Sequence, residues 1–314
     1  MFLRSLLCVL SALALGVVAD YPNPQAVSGN TAIHDPSLCK DSSGKYWLFG
    51  TGVGIEIRTS TDRKAWTLIG TVWPDGASWT DSYTGTSNGA LWAPDCTYLN
   101  GQFYLYYAAS SFGSQNSAIF FAKSTTGQPG SWVNEGLVTS SSSSNNYNAI
   151  DPNLIIDSGK WYLSLGSFWT VFIFRMTLGS STGKPSSSTV TSLAQRTANN
   201  GAIEASVIWK QSSFYYLFTS WDLCCQGTSS TYNIRVGRSS SVTGPFVDQA
   251  GVALTSGGGT LVLASHGSII GPGGQDIMTD SDGVLLIYHY YTSSGSFLGL
   301  NHLDFSSGWP VVTA

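Results

Sequence analysis

Short segments of alternating apolar and polar residues recur along the chain, and each is bounded by Gly, Ser, Asn or Asp. Alternation with a period of two is typical of half-buried β-strands. Long helical periodicity is missing, so we predict an all-β chain with helical content near zero. The clearest predicted strands cover residues 45–50, 102–108, 161–165, 214–219 and 284–290.

Four of these strands are followed by a further apolar segment, which predicts a third strand in each unit, at residues 55–60, 117–124, 171–176 and 232–239. The segment 300–305, followed by Gly308-Trp309-Pro310, predicts a final outer strand. Residues 24–33 precede the first unit. They are expected either to complete the last unit or to pack against it, and the sequence leaves both alternatives open.

Each predicted unit begins with a short phrase that has an acidic residue or histidine at its head. The heads are spaced 53 to 62 residues apart, and a turn separates each one from the strand that follows: Asp35, Asp95, Asp151, Glu204 and His266. A fixed period of this size indicates a repeat architecture, and one strand–turn–strand per unit is typical of propeller blades. We therefore predict a single-domain, five-bladed β-propeller. Heads at equivalent positions on the innermost strands would converge on one axis.

The first nineteen residues have the features of a secretory signal peptide. Arg4 supplies a positive charge, an apolar stretch follows, and Val17-Val18-Ala19 ends it with small residues. Later segments do not reach the roughly 18 apolar residues of a membrane span. We predict a signal peptide at residues 1–19, a catalytic propeller at residues 20–314, secretion, and no membrane association.

Composition narrows the choice of ligand. Charged residues make up 10% of the chain, with 14 basic and 18 acidic residues and no Lys/Arg cluster. This balance argues against nucleic acid as a partner, because the phosphate backbone selects basic surfaces. Abundant Gly, Ser, Trp and Tyr suit a neutral, hydroxyl-rich ligand better. A monomer is expected, since nothing in the sequence indicates an association surface.

Four cysteines remain after removal of the predicted signal peptide. Cys39 and Cys96 occupy matching places just after the first two heads, which favours a disulfide between neighbouring inner strands. The adjacent Cys224 and Cys225 could pair with each other or remain buried thiols, and the sequence does not decide between these states. A zinc site is not expected, because the chain has no CxxC pattern.

Three of the acidic heads, Asp35, Asp151 and Glu204, are predicted to project to one end of the axis, and bringing their carboxylates together there would raise their pKa values. The natural use of such a group is acid/base chemistry, in which one carboxyl stays protonated and another ionised. For an inverting glycoside hydrolase the two working carboxyls lie about 6.5–9.5 Å apart. We predict Glu204 as general acid, Asp35 as general base and Asp151 as the group that raises the pKa of the acid and orients it. The alternative is that each acid caps a turn.

Further residues are predicted to contact a sugar, because aromatic, amide and hydroxyl groups together form a surface that binds hydroxyl-rich ligands. They are His34, Trp92, Phe112, Asn148, Ser167, Phe168 and Trp169. A packing role is the alternative for Trp92. Asp95 lies two residues further from its Trp-Ala-Pro lead-in and is expected to be structural. His266 could be a core residue, an ion ligand or a partner for substrate.

Several motifs, in this order, resemble glycoside hydrolase family 43. They are His34-Asp35-Pro36, Leu91-Trp92-Ala93-Pro94-Asp95, Asn148-Ala149-Ile150-Asp151-Pro152, Gly166-Ser167-Phe168-Trp169, Glu204-Ala205-Ser206 and Gly308-Trp309-Pro310. The resemblance implies a five-bladed propeller that hydrolyses with inversion, with Asp35 as base, Asp151 as pKa modulator and Glu204 as acid. It also implies that His266 helps to hold a central calcium or sodium ion through a largely aqueous shell. No organic cofactor is implied.

Within that family the motifs are most similar to those of the fungal endo-arabinanases. This implies cleavage of internal α-1,5-L-arabinofuranosidic bonds in linear arabinan, a side chain of plant pectin. The alternatives are an exo-acting α-L-arabinofuranosidase or β-xylosidase of the same family. A non-catalytic sugar-binding propeller is an alternative of a different class.

Overall fold

The computed structural model describes residues 21–166 and 172–314, and they form the predicted five-bladed β-propeller. Each blade is one sheet whose four main strands are antiparallel and run from the central axis outward. The predicted signal peptide at 1–19 lies outside the described residues, and so do three predicted sugar contacts, Ser167, Phe168 and Trp169.

The four longest strands of each blade follow one another outward, and a two-residue strand is added at the outer edge of blade one and at the inner edge of blade two. Blade one contains β1 (Ser28–Gly29), β2 (Ser37–Lys40), β3 (Tyr46–Gly50), β5 (Glu56–Ser60) and β6 (Ala65–Thr71), and blade two contains β4 (Gly52–Val53), β7 (Ala90–Leu99), β8 (Gln102–Ala109), β9 (Ser117–Ser124) and β10 (Val133–Ser141). Blade three contains β11 (Asn153–Asp157), β12 (Lys160–Leu165), β13 (Phe172–Leu178) and β14 (Thr191–Gln195). Blade four contains β15 (Ile203–Gln211), β16 (Phe214–Trp221), β17 (Asn233–Ser239) and β18 (Thr260–Leu263), and blade five contains β19 (Ile270–Asp280), β20 (Gly283–Thr292), β21 (Gly295–Asp304) and β22 (Val311–Thr313).

Within residues 21–166 and 172–314, helical structure is confined to short turns, as the sequence predicts. The α-helix α1 (Asp81–Thr84) and 3₁₀ turns such as Ser78–Thr80 lie in connections between strands. Every predicted second and third strand is present with small shifts of its ends. The prediction for residues 300–305 is wrong in position, because they belong to the third strand β21, and β22 forms the outer edge after Trp309.

The segment before the first inner strand joins the first and last blades. Its strand β1 pairs in parallel with the outer strand β6 of blade one. Ala32 bridges to Phe297 in β21, and the amide of Gln25 donates to the carbonyl of Leu300. The segment therefore packs against blade five rather than supplying one of the four strands of that blade.

The core consists of apolar layers between adjacent blades. Strand β3 is buried along its whole length, which explains why the second strands include nearly continuous aromatic and aliphatic runs. Between blades one and two, Trp47 packs edge-on against Phe103, and Phe49 packs edge-on against Trp132. Aromatic pairs of this kind contribute about 0.5–1.5 kcal/mol each beyond the area that they bury.

The described residues contain two disulfides. Cys39 in β2 and Cys96 in β7 join neighbouring inner strands with Cα atoms 5.8 Å apart, so the predicted bridge is confirmed. The adjacent Cys224 and Cys225 pair with each other in the connection after β16, which settles the alternative that the sequence left open. In the described part of the chain there is no helix of the length and apolarity that crossing a membrane requires.

A series of hydrogen bonds ties the inner strands together around the axis. Leu154 in blade three donates its amide to Asp95 in blade two, at 2.8 Å. Leu38 in blade one does the same to Asp276 in blade five, also at 2.8 Å. Burial, together with the charge of Asp276, raises the pKa of Asp95 to about 8. Asp95 is therefore structural, as predicted from its offset position.

Candidate active site

Five residues at the entrance of the inner strands occupy the left-handed region of backbone conformation. They line one axial cavity of about 30 Å³, and their φ angles are 46° at Asp35, 40° at Ala93, 52° at Asp151, 50° at Ala205 and 56° at Gly274. Four of them are not glycine, and left-handed conformations are uncommon for such residues. Here the conformation recurs at the same position in all five blades. In blades two, four and five the strand pairing shifts register at this level. The backbone therefore re-aims these residues at the axis.

This geometry corrects the predicted equivalence of the five heads. Asp35 and Asp151 hold the axial position in their blades, but Asp95 lies two residues after it and Glu204 one residue before it. In blade five Gly274 takes this position. His266 lies in the connection between β18 and β19 and does not head an inner strand. Equal spacing along the chain misled the prediction, because the register shifts and the blade connections differ in length.

Asp35 is held as an ionised carboxylate. Its Oδ2 accepts a hydrogen bond from Oγ1 of Thr51 at 2.7 Å and lies 2.9 Å from Nδ1 of His34. Burial by itself would raise the pKa of Asp35, but its pairing with His34 and the hydrogen bond from the Thr51 hydroxyl outweigh it. The net effect is a pKa well below the usual range of an aspartate.

Glu204 has the opposite character. Burial and the nearby charge of Asp35 raise its pKa to about 7, although the Tyr232 hydroxyl, which donates to Oε1 at 2.6 Å, works against this shift. Asp151 accepts the amide of Ala205 at 2.9 Å and is thereby fixed to the strand that carries Glu204. Burial, Glu204 and Asp35 together raise the pKa of Asp151 well above its ordinary value. The three carboxyls thus comprise one ionised group and two groups that resist ionisation.

A groove of about 540 Å³ lies at the carboxylates. Its lining includes all three carboxyls together with the predicted contacts His34, Trp92 and Phe112. The ring centroids of Trp92 and Phe112 are 5.2 Å apart, and Phe112 is 81% exposed, so its ring is accessible from the groove. Asn148 is buried and lines an adjoining cavity of about 220 Å³, which Glu204 also lines. The structure therefore brings the predicted contacts that it describes together with the carboxyls.

The cation predicted at His266 was tested against the residues present. Nδ1 of His266 lies 2.8 Å from the carbonyl of Ala264 and its ring packs near Tyr21, whereas the described residues that line the groove and the axial cavity do not include it. His34, Asp35 and His289 offer ligand atoms within 4.8 Å of one another, but the ring nitrogens of both histidines already contact protein partners. These side chains do not fit direct ligation. The central ion stays a prediction, and His266 is not brought to the carboxylates.

Several residues of the site escaped the sequence analysis: Thr51, Cys224, Cys225, Tyr232, Gly274, His289 and Tyr291. A signal existed for two of them. His289 lies on the predicted second strand of blade five and Tyr291 one residue beyond its predicted end, and in β20 the two are two residues apart, so both side chains lie on one face of that strand. Thr51 and Tyr232 lie at strand ends, where no periodic pattern marks them.

The comparisons with known proteins agree with this geometry. The sequence model of Glycosyl hydrolases family 43 matches residues 25–310. A probable arabinan endo-1,5-alpha-L-arabinosidase A of Aspergillus terreus is 43% identical over 99% of this chain and 100% of its own length. An extracellular endo-alpha-(1->5)-L-arabinanase 1 of Bacillus subtilis is 42% identical over 96% of this chain and 95% of its own length.

Two solved structures are similar across most of the chain. An endo-arabinanase of Bacillus licheniformis superposes with a TM-score of 0.84 at 40% identity, covering 91% of this chain and 99% of that protein. An exo-1,5-alpha-L-arabinanase from a bovine ruminal metagenomic library superposes with a TM-score of 0.85 at 35% identity, covering 92% and 99%. Endo- and exo-acting proteins therefore share this fold closely.

Proposed function

The chain belongs to glycosyl hydrolases family 43 and is a glycoside hydrolase, and from this membership we propose that it cleaves internal α-1,5-L-arabinofuranosidic bonds of linear arabinan with inversion. The observation that carries the proposal is that one groove holds two carboxyls with opposite pKa shifts: the pKa of Asp35 is lowered and the pKa of Glu204 is raised. A carboxylate and a carboxylic acid at one site are what single-displacement hydrolysis requires.

Each carboxyl has a distinct role in the proposed reaction. Asp35 takes a proton from a water molecule as the oxygen of that water attacks the anomeric carbon. Glu204 gives its proton to the leaving glycosidic oxygen, and the bond between that oxygen and the anomeric carbon breaks. Asp151, through the amide of Ala205, orients the strand that carries Glu204, whose pKa is raised by burial and by the charge of Asp35.

Arabinan is favoured as substrate because this chain is similar, over nearly their whole length, to relatives that are named as arabinan-cleaving enzymes. The groove walls suit a chain of neutral sugars, because Trp92 and Phe112 offer rings for stacking and the Cys224–Cys225 pair adds to the lining. Secretion is supported by the two disulfides, which are typical of oxidising compartments, and by the extracellular Bacillus relative. A monomer stays a prediction.

We expect linear arabinan to yield a mixture of oligosaccharides in the first minutes of reaction, because an endo-acting enzyme binds its polymer across the groove. Product lengths are measured by chromatography over time, with linear xylan and an aryl arabinofuranoside as parallel substrates. Arabinose alone from the start would favour the exo-acting alternative, to which the metagenomic arabinanase points. Products from xylan would indicate that xylan rather than arabinan is the substrate. Binding without products would favour a sugar-binding propeller.

A further inference from the structure

A closed circuit of hydrogen bonds begins and ends at Asp35. Its backbone amide donates to Nδ1 of His289 at 3.1 Å. Nε2 of His289 lies 3.0 Å from Oη of Tyr291, and that oxygen lies 2.8 Å from Nε2 of His34. Nδ1 of His34 returns to Oδ2 of Asp35 at 2.9 Å. Four contacts thus join the main chain and the side chain of one residue through three aromatic side chains.

The direction of the first two bonds in this circuit follows from the Asp35 amide. A backbone N–H can only donate, so Nδ1 of His289 must accept and carries no proton. Neutral His289 then holds its proton on Nε2 and donates to Tyr291. Burial supports this state, because it lowers the pKa of His289 well below its usual value.

The Tyr291 hydroxyl determines the direction of the next hydrogen bond, because it has one proton to donate and two lone pairs that can accept. The oxygen also accepts the amide of Cys225 at 2.9 Å, so two donors already occupy its two lone pairs. Its single proton is therefore directed to Nε2 of His34 at 2.8 Å rather than to the weaker sulfur acceptor of Cys225 at 3.9 Å. In neutral His34 the proton then lies on Nδ1 and is donated to Asp35, although the charge of Asp35 raises the pKa of His34. The stacking of the two imidazoles, with centroids 3.9 Å apart, also disfavours charge on both rings at once.

We propose that Tyr291 and His289, acting through His34, are positioning residues that fix the orientation of Asp35 as the base. This inference rests on the proposed role of Asp35. The carboxylate must aim one oxygen at water, and the circuit, with Thr51, places two donors on Oδ2. Because the circuit also binds the Asp35 amide, it constrains a backbone that lies in the left-handed region. The two attachments together prevent rotation of the carboxylate.

Tyr291→Phe removes the hydroxyl and keeps the ring. We expect kcat on linear arabinan to fall roughly ten- to a hundredfold, the scale of a misplaced catalytic group, with KM little changed. Tyr290→Phe is the matched control, because Tyr290 is the neighbouring tyrosine on the other face of β20 and packs near Phe297. Its kcat should stay within about twofold. Thermal unfolding of both variants reports any loss of folding.

A second pair of variants separates positioning from packing. His289→Asn keeps an oxygen that can accept the Asp35 amide, so it should retain more kcat than His289→Ala at equal thermal stability. Unchanged kcat in Tyr291→Phe, or equal kcat in the two His289 variants, would overturn the inference. Asp35→Asn distinguishes failure of the positioning role from failure of the proposed function. If Asp35→Asn is inactive while Tyr291→Phe is fully active, the positioning role fails alone. If Asp35→Asn is active, the proposed function itself fails.

Discussion

Glu204→Gln should lower turnover of arabinan by at least about a hundredfold, the usual scale of general acid catalysis. The amide has nearly the shape of the carboxylic acid but no proton to give to the leaving oxygen. An aryl arabinofuranoside that carries a nitrophenyl group needs little protonation, so any turnover of that substrate should fall much less. Glu135→Gln on the surface strand β10 makes the same chemical change away from the groove and serves as control.

The pH dependence of the wild-type enzyme follows from the same groups. Because the pKa of Glu204 is about 7, kcat/KM should fall above that pH as the acid ionises. The acidic limb should lie at low pH, because the pKa of Asp35 is below its ordinary range. Full turnover of arabinan by Glu204→Gln would contradict the role of Glu204 as general acid. So would a decrease of kcat/KM at alkaline pH that is the same in the wild type and in Glu204→Gln.

Glu204→Gln should also change thermal stability, and the change should depend on pH. The pKa of Glu204 is raised in the folded state from an ordinary 4.5 to about 7. Its contribution to the free energy of unfolding is therefore fully present below pH 4.5 and is lost as the pH rises through 7. The variant should gain thermal stability over the wild type at pH 8 and show no such gain at pH 4. Stability that is lower at pH 8 would mean that the variant is inactive through misfolding.

Gly274→Ala should abolish most activity although it adds a single methyl group. A Cβ at this position would lie 2.5 Å from Oδ1 of Asp35 and 2.7 Å from the ring of His289, closer than such atoms approach. The carboxylate and the imidazole must both move, so we expect a loss of kcat of about a hundredfold. Overpacking should also lower the free energy of unfolding by about 1–3 kcal/mol.

Gly267→Ala is the matched control for this substitution. Gly267 also has a left-handed backbone, with φ of 50° against 56° at Gly274, but a Cβ there meets nothing within 4 Å. Both variants carry the cost of placing alanine in that conformation, about 1 kcal/mol or more, and only Gly274→Ala adds the clash. Equal activity in the two variants would show that the space around Asp35 is not as tight as the structure describes.

Much of the fold could be predicted because its signals are local. Alternating apolar residues locate the second and third strands, and the turns between them give the number of blades. The Cys39–Cys96 bridge was also predictable, because the two residues occupy matching positions in adjacent repeats.

The arrangement of the site was predictable only in part. Asp35, Asp151 and Glu204 stand out as acids at the heads of their repeats, and all three line the groove. His266 was misplaced, because register shifts within the inner strands put Gly274 at the axial position instead. Contacts such as Tyr232 with Glu204 or Thr51 with Asp35 depend on where strand ends meet in three dimensions, and no period along the chain records them.

The configuration of the first product tests the central claim most directly, namely that Asp35 and Glu204 act on opposite faces of one sugar. Proton NMR of linear arabinan, recorded immediately after addition of a high concentration of enzyme, follows the anomeric signal of new reducing ends before they equilibrate. The account predicts that the β-anomer appears first and the α-anomer grows in later. Initial appearance of the α-anomer would mean retention, and it would exclude direct attack of water activated by Asp35.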